Sequence, residues 1–243
     1  MGSTKQKTMK KIISVSGKDA TLDTNRRNFL RLSGMGIALA GIALTGCKDD
    51  MTDTPAGSVF DLGEGDIGVL NYAYALEQLE ADFYSKVVNS FYTGISDTEK
   101  QLFTDLYHHE VIHRDFFKAA ISGATSKILP TLEFKYDGVD FKNRSSVLAT
   151  AKALEDTGVA AYNGAGKLIT NLDYLVIAGK IVSVEARHAS AIRDIINPKS
   201  ADFSGNDVID ANGLDLAKTP AQIAAIATTF IKTPFTWKQQ GIG

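Results

Sequence analysis

The chain has 243 residues, with 26 Lys and Arg against 28 Asp and Glu and a formal charge of −2, so it has no basic surplus for a nucleic-acid backbone. Its single cysteine excludes an intramolecular disulfide framework. Residues 1–47 carry 8 of the basic and 2 of the acidic side chains, which leaves a formal charge of −8 on the remainder, and about 180 residues suffice for one domain with a proper core.

The amino terminus reads as a processing segment rather than as part of the fold. Asn25, Arg26, Arg27, Asn28, Phe29, Leu30 and Arg31 have the shape of a twin-arginine export signal. An apolar run over residues 32–44 follows, too short for a permanent membrane span. It ends in Leu44, Thr45, Gly46 and Cys47, which has the form of a lipobox with Cys47 as the lipidated residue. Lys48, Asp49 and Asp50 resemble the acidic tags of surface-directed lipoproteins. Residues 1–47 are therefore expected to be a signal peptide, 48–65 a flexible linker with Pro55, Gly57 and Ser58, and 66–243 the domain.

Helical periodicity dominates from residue 66 onward. A first helix is predicted over residues 66–90, with Leu70, Ala73, Leu76, Leu79, Phe83 and Val87 repeating at three- and four-residue spacing. Gly94 marks a turn, and Ser96 with Glu99 forms a capping box that opens a second helix reaching about residue 122. So short a connection makes these two helices antiparallel neighbours. Residues 123–144, with Pro130 and Gly138, break the pattern and read as a long crossover with a short strand-like stretch. A third helix is predicted from residue 145 or 146 to 170 and a fourth over 173–196, stopping before Pro198. Gly158, Gly164 and Gly166 cost the third helix propensity, which close packing against a neighbouring helix would explain. Thr219 and Pro220 start a short last helix to about residue 232, and Phe235 and Trp237 are expected to pack on the bundle. The fold class is all-α: a four-helix bundle of two antiparallel hairpins joined by a long crossover, plus a short C-terminal helix.

Within that frame one pattern occurs twice. Glu110-x-x-His113 and Glu185-x-x-His188 each follow a matching segment, Ala75, Leu76, Glu77 with Tyr84 in the first half and Ala153, Leu154, Glu155 with Tyr162 in the second. The lone Glu precedes its Glu-x-x-His by 33 residues in one half and by 30 in the other, which points to duplication of a two-helix unit. Residues three apart share a helix face, so each Glu-x-x-His offers a carboxylate and an imidazole to one point. Glu77, Glu110, His113, Glu155, Glu185 and His188 together supply four carboxylates and two imidazoles, a donor set for two metal ions. The acids sit among apolar or small residues, where an unpartnered carboxylate would be costly.

On these motifs the chain resembles the ferritin-like superfamily, and more closely the bacterial ferritin-like domain proteins related to desiccation-associated proteins. The resemblance covers residues 66–197 and implies a di-iron or di-manganese carboxylate site. Glu110 and Glu185 would then be the bridging ligands and Glu77 and Glu155 the terminal ones. It implies redox chemistry on peroxide, dioxygen or ferrous iron in an exported periplasmic or surface lipoprotein, held to a membrane by its N-terminal lipid. The alternatives are a metal-binding or stress-protective protein without turnover and an interaction scaffold. An attached rubredoxin-type iron site is excluded, because no Cys-x-x-Cys pair exists. An amino-terminal lipid constrains assembly, so a ferritin cage is not assumed; a homodimer stays open.

Four further residues lie near the expected site. Glu80 shares the face of Glu77 and is the alternative ligand, although Gly158 holds the equivalent place in the second half. Tyr84 and Tyr162 stand two turns from Glu77 and Glu155, either hydrogen-bonding to ligands across the bundle, serving as oxidisable groups beside the site, or packing. His109, one turn before His113, is either a rim group or a surface histidine, and His108 faces elsewhere.

Overall fold

The computed structural model describes residues 59–243. The expected signal over 1–47, Cys47 and spacer residues 48–58 lie outside the described residues. Four long helices carry the domain: α1 (Gly65–Asn89), α2 (Asp97–Ala124), α3 (Arg144–Ala165) and α4 (Leu172–Ile196). α1 packs along α2 and α3 along α4 as two hairpins, and α1 against α3 joins them. No helix among the described residues is long and apolar enough to cross a membrane.

The predicted helix starts have visible causes. Ser96 accepts the Glu99 amide at 3.2 Å while the Glu99 carboxylate accepts the Ser96 amide at 3.2 Å, the reciprocal cap of α2. Asn143 caps α3 and Asn171 caps α4 through their side-chain oxygens. Asp66 in the first turn of α1 accepts from the Thr170 and Asn171 amides, fixing α1 to the turn between α3 and α4.

α1 is the central helix, with 17 of its 25 residues buried. Two of these are amides that serve the crossover. Asn71 accepts from the Leu129 amide at 2.8 Å and donates to the Lys127 carbonyl, and Gln78 accepts from the Leu132 amide at 2.9 Å and donates to Pro130. Spaced seven residues apart on one helix face, they satisfy the backbone of an otherwise irregular segment. The strand-like stretch expected there is a single antiparallel bridge, Phe134 with Ile231.

Several boundaries differ from the sequence reading. Residues 60–62 belong to the packed domain rather than to the spacer: β1 (Phe60–Asp61) pairs in parallel with β2 (Phe235–Thr236), and Leu62 is buried. α3 ends at Ala165, where a 3-10 turn over Gly166–Leu168 takes over. The last helix, α5 (Pro220–Ala227), stops early: the Thr229 and Phe230 amides bond only three residues back, to the Ile226 and Ala227 carbonyls, so the chain tightens and leaves the helix. Trp237 is fully buried against Tyr72, with ring centroids 5.2 Å apart.

Gly164 faces a returning backbone segment and not a neighbouring helix. The Lys218 amide donates to the Ala160 carbonyl at 3.0 Å, and a Cβ on residue 164 would lie 1.7 Å from the Lys218 carbonyl oxygen. Arg193 fastens the same region, holding Asp156 and Asp207 through its guanidinium and donating to the Asp202 carbonyl. Gly164→Ala is expected to lower unfolding stability by ~3 kcal/mol, the upper part of the overpacking range, because the clash is with backbone. That loss exceeds the ~1 kcal/mol gained in helix propensity. Urea unfolding checks it; a stability equal to or above the parent's would refute the account.

Candidate metal centre

The six expected ligands come from all four helices and meet in the bundle interior. Glu77 projects from α1, Glu110 and His113 from α2, Glu155 from α3, and Glu185 and His188 from α4. They form two groups, Glu77, Glu110, His113 and Glu185 on one side and Glu110, Glu155, Glu185 and His188 on the other, with one ligand atom of each residue within 4.8 Å of the others in its group. Glu110 and Glu185 belong to both. His113 Nδ1 lies 2.9 Å from Glu185, 3.3 Å from Glu110 and 3.4 Å from Glu77. His188 Nδ1 lies 2.8 Å from Glu110, 3.4 Å from Glu155 and 3.7 Å from Glu185.

The four carboxylates are fully buried, and their inward atoms are largely unsatisfied. Glu77 Oε2, Glu110 Oε1, Glu155 Oε2, both Glu185 oxygens and His188 Nδ1 have no well-directed hydrogen-bond partner, although ion-pair distances separate them. So many orphaned acceptors at one point carry a large desolvation cost. Two divalent cations would remove it, since four carboxylates and two neutral imidazoles then make a charge-balanced set of hard and borderline donors. On the chemistry of its donors the site fits such a pair.

Without metal, protons must do that work. Burial opposes charge on Glu185, but contacts with His113 and His188 outweigh it and hold this carboxyl at about 2. Burial likewise disfavours a charged His113, yet the Glu110, Glu185 and Glu77 carboxylates raise it to about 12, and His188 rises for the same reason, with Glu155 its strongest partner. Glu155 is pushed up to about 7 by burial, which His188 only partly offsets. Glu110 rises well above the carboxylate range through burial and the nearby charge of Glu185.

The tyrosines tie the halves together. Tyr84 of α1 donates to Glu155 Oε1 of α3 at 2.5 Å, and Tyr162 of α3 donates to Glu77 Oε1 of α1. Each hydroxyl fixes the outer oxygen of the other half's lone Glu and leaves the inner oxygen for the site. Glu80 is also buried but belongs to neither group. It occupies the space left by Gly158, whose Cβ would lie 3.0 Å from Glu80 Oε1, and burial with four neighbouring carboxylates keeps it protonated far above the ordinary range. The clue in the sequence was the mismatch of Glu80 with Gly158; that one fills the other's place needed the helix rotation. His109 is exposed, and its Nδ1 meets His188 Nε2 at 2.9 Å. His108 is exposed as expected.

A four-helix bundle with a buried, doubled Glu and Glu-x-x-His set defines a class of helical carboxylate proteins compatible with two metal ions. The ferritin-like domain family matches residues 65–198, more than half of the chain, and the chain belongs to that family. No curated protein matches it.

Proposed function

We propose that the chain is an exported di-metal carboxylate protein, loaded with iron or manganese, that carries out redox chemistry on peroxide, dioxygen or ferrous iron. The observation that carries this reading is the pair of buried ligand groups sharing Glu110 and Glu185, with their inward oxygens otherwise unsatisfied. Glu77 with His113, and Glu155 with His188, would hold one ion each, and Glu110 and Glu185 would bridge them. The ions would supply electron transfer to or from a small oxidant. The chain's own part is to present neutral imidazoles and charged carboxylates in a dry interior, to orient Glu77 and Glu155 through Tyr162 and Tyr84, and to exclude bulk water. Export is supported by Arg26, Arg27 and the apolar run that follows, and anchoring by Cys47 at the end of that run, in the relation seen in lipoprotein signals. The doubled Glu and Glu-x-x-His pattern supports the likeness to desiccation-associated proteins.

The test is anaerobic reconstitution of the full mature chain with ferrous iron or manganese(II), metal analysis, and rapid mixing with dioxygen or hydrogen peroxide. Two ions per chain and oxidation by one of these oxidants are expected, and in the producing cell Cys47→Ser should abolish lipid labelling. Two bound ions inert to both oxidants would favour the stress-protective alternative, and no bound ion would leave the scaffold reading.

A further inference from the structure

Besides Glu80 and Gly158, the duplication is broken at a second place beside the site. His109 immediately precedes Glu110, and the equivalent position before Glu185 is Val184. His109 Nδ1 and His188 Nε2 are 2.9 Å apart, the ring planes differ by 9°, and the centroids are 5.1 Å apart. The centroid separation exceeds the N···N distance by 2.2 Å, the two half-rings, so the contact is an in-line, in-plane hydrogen bond and not a face-to-face stack. On its other side His188 turns Nδ1 toward Glu110, Glu155 and Glu185. His113 also uses Nδ1 toward its carboxylates, but no hydrogen bond to its Nε2 is present among the described residues, and an apolar Val184 cannot provide one.

We infer that His109 is a positioning residue that makes the two metal positions inequivalent. The inference rests on the di-metal reading above. A neutral imidazole that gives Nδ1 to a cation carries its proton on Nε2, and an acceptor on that side favours this form and holds the ring once the Nδ1 proton of the empty site is displaced. His109 Nδ1 is that acceptor for His188, and the in-plane geometry also holds the ring's rotation. The position bounded by Glu155 and His188 thus has its imidazole held on both nitrogens, while at the one bounded by Glu77 and His113 the imidazole is held only through Nδ1, by contacts that the ion must replace. The first is the tight, early-filling position and the second the exchangeable one. His109 touches neither ion and acts only through His188.

Anaerobic titration of the metal-free full chain with cobalt(II) alone, followed by ligand-field absorption, separates the positions without any turnover assay. The parent should take up two ions in two steps. His109→Ala should weaken one step by ~10–100-fold, the usual cost of losing a ligand's orienting partner, and shift the cobalt spectrum of that position. His109→Asn, whose Oδ1 stands where Nδ1 does and can accept the same bond, should restore both. Glu77→Ala should leave a single step sensitive to His109, and Glu155→Ala a single step indifferent to it. Equal weakening of both positions by His109→Ala, failure of Asn to rescue, or two unchanged steps would overturn this inference alone. A parent that takes up no cobalt would overturn the di-metal reading together with it.

Discussion

Glu185→Ala is expected to empty both metal positions, whereas Glu77→Ala should empty one and Glu80→Gln neither. The ranking follows from membership: Glu185 stands in both ligand groups, Glu77 in one and Glu80 in none. An ion at a hundredfold excess over its dissociation constant stabilises the folded state by ~2.7 kcal/mol. With each position at that excess the parent should therefore gain more than Glu77→Ala, which keeps one position and roughly 2.7 kcal/mol, and Glu185→Ala should gain almost nothing. Metal analysis after desalting, with thermal unfolding in the presence and absence of ion, reads all three variants. The metal-free proteins should all retain their helices, since the apolar core that includes Phe83, Phe103, Leu148 and Ile192 contains none of the six candidate ligands. Two ions retained by Glu185→Ala would remove the shared-bridge assignment, and one lost from Glu80→Gln would make Glu80 a ligand.

Metal binding should also strengthen steeply with pH. Bound metal must displace the protons that neutralise the empty site: those on His113, held at about 12, and on His188, together with those on Glu110, raised well above the carboxylate range, and on Glu155 where it remains protonated below about 7. Each proton displaced makes affinity rise roughly tenfold per pH unit, or about 1.4 kcal/mol. The empty protein has the opposite trend over part of this range. Glu155 is raised in the folded state from 4.5 to about 7, so its contribution is fully present below 4.5 and is lost as pH rises through about 7. Glu185, lowered from 4.5 to about 2, contributes above 4.5 and loses its share only as pH falls toward 2. The rise in thermal midpoint on adding ion should thus grow between about pH 6 and about pH 8, with protons released to buffer in calorimetry. Equal midpoint shifts across that interval, with no proton release, would rule out this linkage.

The convergence of the six candidate residues was legible in the sequence because two short-range regularities coincide: helical spacing puts Glu110 with His113 and Glu185 with His188, and the duplication adds Glu77 and Glu155. The capping box at Ser96 and the amphipathic stripe of α1 fixed the first hairpin in the same local way. Long-range partners were not legible. Phe60 pairs with Phe235 across most of the domain, Arg193 reaches Asp207 in an irregular segment, and Gly164 is needed for the Lys218 backbone. None of these has a periodic signature, since each depends on where a non-helical segment returns. His109 shows the limit most directly: its spacing placed it near the rim, but its bond to His188 depends on the rotation and separation of α2 and α4.

Each ligand group draws on both hairpins, Glu185 completing the set of α1 and α2 and Glu110 completing that of α3 and α4. Apolar stripes alone are forgiving: a slide of one hairpin along the other by a helical turn, ~5.4 Å, brings similar aliphatic side chains back into contact. The same slide would carry Glu110 away from His188 and Glu185 away from His113, and would break the crossed tyrosine bonds with them. The polar heart of the bundle is therefore a vernier, a mark that reads true at one alignment of the two halves and at no other.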